Sequence, residues 1–146
     1  MNSKKIIIFG LLIFFLFGSA CAATDYYVDA SAPDNSGDGL TAGTAWKTLT
    51  YAAATSAVGD TIHVVSGTYN AALGESFPIT ITGRYFLSTS TGLATIDSQS
   101  TVDHTVSLAS GATLEGFYVK RTDTNGSYYA INAGQNSRVI NNTVSA

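Results

Sequence analysis

YYVDASAPDNSGDGLTAGTAWKTLTYAAATSAVGDTIHVVSGTYN, residues 26 to 70, decides how this chain is wound. The stretch reads as a strand, a Gly/Asp-rich turn, a short helix led by Trp46, and a second strand that runs into Gly67-Thr68-Tyr69. Trp46, Leu49, Tyr51 and the alanines Ala52, Ala53 and Ala54 supply good helix formers and large apolar groups within nine residues. Gly59-Asp60 then turns the chain into a strand over 61–65, whose alternation points Ile62 and Val64 inward and His63 outward.

Downstream, the sequence compares with itself at an offset of 25. Ile81, Val106 and Ile131 fall at successive steps, each inside a short alternating segment: PITIT, HTVSLAS and YAINA. Leu114 and Val119 return as Val139 and Val144. Gly111 maps onto Asn136 and Gly116 onto Asn141, and glycine and asparagine are the residues that most readily take positive φ. Two such exchanges at one offset predict one backbone bend made twice. A period in this range, with short strands and no helices between them, signals a solenoid. Its inward stack is expected to contain Ile81, Val106, Leu108, Leu114, Ile131 and Val139. Residues 83–100 fit the period only with an insertion, which aligns Leu87 with Leu114 and puts a loop around residues 89–92. An antiparallel sandwich also has short, regularly spaced strands, but it does not require matched turn residues at one offset.

Taken together, the opening block and the repeat resemble the start of right-handed parallel β-helix proteins, the architecture of pectate lyases and many surface proteins. The resemblance covers about 120 residues through generic capping and coil signatures. The fold class expected is therefore all-β, a right-handed parallel β-helix with a short N-terminal capping helix. The helix, with Trp46 as its largest plug, would cover the apolar cross-section and open backbone edge of the first coil. No matching closure is visible at VINNTVSA, so the expected reading is a C-terminally truncated piece holding three to four coils, with end-to-end contact at the uncapped last coil.

Residues 1–22 read as a signal peptide. Lys4 and Lys5 precede twelve mostly apolar residues, Ile6 to Phe17, and Ala20-Cys21-Ala22 fits small-x-small cleavage. The alternative is a lipoprotein signal in which Cys21 carries the lipid, although Gly18 stands where Leu is usual. Either way the product, whose β-helix domain is residues 23–146, is expected to be secreted or held at the cell surface. The apolar run falls short of the ~20 residues a membrane span needs. The whole chain has seven basic and ten acidic residues. Loss of Lys4 and Lys5 leaves five against ten, a formal charge of −5, which excludes the clustered cations that nucleic acid or anionic lipid demands. Cys21 is the single cysteine, so no intrachain disulfide can form.

The chemistry is sparser than the architecture. Asp34, Ser36 and Asp38 place oxygens at alternate positions before Gly39, as at the front of a calcium loop, but the twelfth position is Ala45 where a bidentate Glu is expected. The same residues also make ordinary turns. Polysaccharide lyases of the resembled architecture hold calcium on several acids and remove a proton beside a uronate carboxylate with Arg or Lys. Lys120, Arg121, Asp97, Asp103 and Glu115 are the charged groups here, and they form no spaced acidic cluster; Lys120-Arg121 beside Asp123 reads as a solvated turn. Glycosidases of that architecture group aspartates on neighbouring coils, and no such group assembles. His63 and His104 lack a second His or Cys at ligand spacing. Outward tyrosines on a flat sheet can stack on sugar rings, and Tyr118 and Tyr128 are the carbohydrate-binding candidates. Asn125-Gly126-Ser127 and Asn141-Asn142-Thr143 match the glycosylation sequon, a motif common by chance, and Asn141 already has a turn role. The expectation is an exported, non-catalytic β-helix domain that binds carbohydrate or acts structurally in an adhesin-like way. The alternative is the N-terminal fragment of a lyase or glycoside hydrolase acting on uronate-rich polysaccharide.

Overall fold

A computed structural model describes residues 22–89, 92–99, 104–121 and 129–145. The candidates Tyr128 and Cys21, and Asp103 and Asp123, lie outside these residues. The regular structure of the described chain is mostly strand, with one short α-helix and two single 3-10 turns, Ala42–Thr44 and Ala71–Leu73. In order it runs β1 (Asp25–Val28), α1 (Leu49–Thr55), β2 (Thr61–Val64), β3 (Thr68–Asn70), β4 (Ile79–Ile81) and β5 (Tyr85–Ser88). There follow β6 (Ala94–Asp97), β7 (His104–Leu108), β8 (Thr113–Glu115), β9 (Phe117–Lys120), β10 (Tyr129–Ala133), β11 (Arg138–Ile140) and β12 (Thr143–Ser145). Three sheets result, of order β1-β2-β5-β8-β11, β3-β6-β9-β12 and β4-β7-β10, and every pairing within them is parallel. From β2 onward the chain visits the three sheets in the same cyclic order. Each circuit therefore lays its strands on those of the circuit before, an arrangement compatible with a parallel β-helix.

The 25-residue offset is the true register of the last two circuits: Val106 pairs with Ile131, Leu114 with Val139 and Val119 with Val144. It fails one circuit earlier. Val106 pairs with Ile79 rather than Ile81, which meets Leu108, an offset of 27 that keeps the same face inward. Phe86, not Leu87, sits beside Leu114, because the step there is 28 and the odd residue moves Leu87 to the outside. The extra length lies between β5 and β6, within 89–93, where the insertion is expected.

Inside, Ile62, Val64, Tyr69, Ile79, Ile81, Phe86, Ile96, Val106, Leu114, Phe117 and Val119 are at most 1% exposed. Ile131 packs only partly against this core, and Val139 is 46% exposed because no described strand lies beyond β11. Successive circuits bend at one column of left-handed residues: Gly59, Gly83, Gly111 and Asn136, with φ of 97°, 60°, 74° and 56°. Gly116 (78°) and Asn141 (51°) form the second predicted bend. Beside it, Asn142 accepts from the Phe117 N–H at 2.8 Å and donates to the Leu114 carbonyl at 2.8 Å, replacing ladder partners at the corner. Gly116→Val is expected to cost about 1–2 kcal/mol through left-handed strain, and Asn141→Gly almost nothing; urea unfolding of both variants checks this.

The cap grows from the DNSGDG segment. Asn35 Oδ1 accepts from the Lys47 and Thr48 N–H groups, at 2.7 and 3.1 Å, and ties the loop to the helix start. The Gly37 carbonyl accepts from Trp46 Nε1 at 2.8 Å, while Gly39, at φ 73°, lies flat against the indole. A Cβ at Gly39 would sit 2.6 Å from that ring, so only glycine fits there. Trp46 stacks on Tyr26 (ring centroids 4.6 Å apart) and meets Tyr51 edge-on. Thr48 caps α1 by accepting from Tyr51 N–H, and α1 packs against β1 and β4. The Glu75 carboxylate reaches back to the helix start, accepting from Leu49 N–H (2.7 Å), Thr50 N–H (2.9 Å) and Thr50 Oγ1. At the other helix end, Arg84 Nε donates to the Ser56 carbonyl at 3.0 Å.

Candidate functional site: two outer sheet faces

With the inner side chains committed to packing, the groups able to meet a partner are those on the outer sheet faces. Among the described residues no concave pocket is found, and no three His, Cys, Asp or Glu gather as a metal would need. Nor is any helix there long and apolar enough to cross a membrane.

On the four-stranded sheet, strict register aligns Thr68, Thr95, Tyr118 and Thr143 in one row, with Asn70, Asp97, Lys120 and Ser145 in the next. Tyr118 is half-buried, with Thr95 and Thr143 as its register neighbours on either side. Lys120 Nζ lies 3.4 Å from Asp97 Oδ2. Lys120-Arg121 is therefore not a solvated turn. Lys120 ends β9, and Arg121 is 3% exposed and, like Asp97, has further partners.

The five-stranded sheet carries the denser chemistry. One outward row holds Asp25, Thr61, Tyr85, Thr113 and Arg138; the other holds Tyr27, His63, Leu87, Glu115 and Ile140. His63 Nε2 lies 2.8 Å from Asp25 Oδ1, and its ring stacks on Tyr27 with centroids 5.3 Å apart. Tyr85 Oη donates to Glu115 Oε2, and that bond to a carboxylate holds the phenol above its ordinary pKa. Arg138 projects from β11, exposed, near enough to act electrostatically on Tyr85. Sequence reasoning placed His63 outward but did not find this constellation. Its contacting members are 30 to 38 residues apart, and only the 36, 24, 28 and 25 register steps align them.

Asp34, Ser36 and Asp38 occupy the cap loop, and their oxygens serve the turn. Asp34 Oδ1 accepts from Ser36 N–H at 2.8 Å; Asp38 Oδ1 accepts from Leu40 N–H at 3.0 Å and from the Thr44 hydroxyl at 2.5 Å. The Ser36 and Thr44 bonds hold these exposed carboxyls below their ordinary pKa. The cap turn thus contributes to folding above the unfolded value of 3.8, and that contribution fades as pH falls through the lower folded pKa values. Asp38→Asn is expected to flatten this acid limb in thermal melts scanned from pH 5 to pH 2.

Residues 32–92 match a family described as a protein of unknown function (DUF1565). The match spans the cap loop, α1 and β2 to β5, and that family is associated with β-helix proteins. No curated protein and no solved structure matches the chain.

Proposed function

We propose that the chain forms an exported right-handed parallel β-helix whose role is to bind glycan without catalysis. The observation that carries this reading is the row Thr68–Thr95–Tyr118–Thr143, an aromatic ring set among hydroxyls on a flat parallel face. Ring faces take the C–H side of a sugar, and flanking hydroxyls bond its oxygens. Tyr128 is the second aromatic proposed for this role. The cyclic sheet order and the match across the cap support the β-helix. The leader over 1–22 supports export, with lipidation at Cys21 as the surface-anchored variant. Val139 and Val144, about half exposed on β11 and β12, are where end-to-end contact would form.

Affinity electrophoresis of the full chain in gels containing soluble polysaccharides tests the reading. Retardation is expected, and Tyr118→Ala is expected to weaken it several-fold. On polygalacturonate no unsaturated product should absorb in the ultraviolet; its appearance would replace the binding reading with the lyase one.

A further inference from the structure

We infer that the outer face of the five-stranded sheet is a second glycan surface, and that it takes a neutral, hydroxyl-rich polysaccharide laid across the strands. The inference rests on the glycan-binding reading above but concerns a different face and different residues.

Three features of that face lead to it. First, its polar groups already hold one another in place. Asp25 is bonded to His63, His63 is stacked on Tyr27, and Tyr85 is bonded to Glu115. Groups ordered before the ligand arrives lose little further side-chain freedom on binding it. Second, donors and acceptors alternate along the face. Asp25 and Glu115 retain carboxylate oxygens for hydroxyl donors, Arg138 offers guanidinium N–H groups, and Thr61 and Thr113 can do both. Leu87 and Ile140, half-buried between them, give the C–H face of a sugar ring something to cover. Five strands at ~4.8 Å spacing make this strip about 19 Å long from the Asp25 column to that of Arg138.

Third, charge selects the ligand class. Two carboxylates stand against one guanidinium on the face, and the whole chain has ten acidic against seven basic residues. A polyanion would meet net repulsion, whereas a neutral polyol presents hydroxyls to carboxylates at no such cost. Uronate-rich chains are therefore the disfavoured ligands here.

Titration calorimetry of the full chain with soluble xyloglucan and, separately, with polygalacturonate tests the inference. The double variant Glu115→Gln/Arg138→Ala is expected to lose at least tenfold in affinity for xyloglucan, and the wild type to bind polygalacturonate at least tenfold more weakly than xyloglucan. Asp25→Asn/His63→Gln removes the other half of the face and should give a comparable loss; it guards against a folding defect in the first pair, and far-ultraviolet circular dichroism checks both. Unchanged affinity in both well-folded double variants, or preference for polygalacturonate, overturns the inference. Binding that depends on Tyr118 alone also overturns it while leaving the glycan-binding reading intact. Absence of binding to every polysaccharide tried overturns both.

Discussion

Trp46→Ala is expected to lower stability by about 3–5 kcal/mol, the range for deleting a large buried aromatic, and to bring the melting temperature down by about 10–20 °C. The indole is 3% exposed and holds the cap by three separate means. It fills the space beneath Tyr26 and Tyr51, its N–H bonds the Gly37 carbonyl, and its face seats Gly39. Truncation leaves a cavity, an unpaired carbonyl and a loop with nothing to close upon. Gly39→Ala keeps the tryptophan yet should reproduce much of the loss, since the new Cβ would enter the indole plane at a backbone angle that disfavours side chains. Thermal and urea melts of both variants check this. If Gly39→Ala unfolds like the wild type, the loop is not the seat of the indole.

Glu75→Ala is expected to cost about 3 kcal/mol. Its carboxylate is 6% exposed and accepts from two backbone N–H groups and one hydroxyl at the start of α1. An alanine leaves those donors facing a gap, and each unsatisfied buried donor costs about 1–3 kcal/mol. Burial pushes the Glu75 pKa up, against the opposing pull of the Thr50 and Leu49 bonds. With a folded pKa above the unfolded 4.5, its titration favours the fold most below that value, and this contribution is lost as pH rises through the folded pKa. Glu75→Gln should remove that pH dependence while keeping one acceptor, and so fall between wild type and alanine in urea titrations at pH 4 and pH 7.

The chain's architecture was legible because it repeats. Gly111 and Asn136, and Gly116 and Asn141, exchange types that share one backbone preference, and all four take left-handed φ. The register slipped where repetition did: a 28-residue step exchanged Leu87 for Phe86, and a 27-residue step exchanged Ile81 for Ile79. An even slip keeps the inward face and leaves no trace in the hydrophobic pattern, and an odd one is hidden when both neighbours are apolar. The chemistry was less legible for a related reason. Asp25 and His63 touch across 38 residues, and no local spacing announces the pair. In the cap, Asp34 and Asp38 fit a turn and a calcium loop alike because both draw on the same residues; in the structure they accept from the Ser36 and Leu40 N–H groups.

The indole seated on Gly39 is also the chain's single tryptophan. Its emission therefore reports on the cap alone, while the far-ultraviolet signal is dominated by the stacked strands. Stacked parallel strands held mainly by nearest-neighbour contacts can lose an end before their middle. Following both signals through one urea titration makes the protein its own two-channel instrument. Coincident curves mean that cap and strands melt as one unit, and an earlier fluorescence transition means that the cap peels away first.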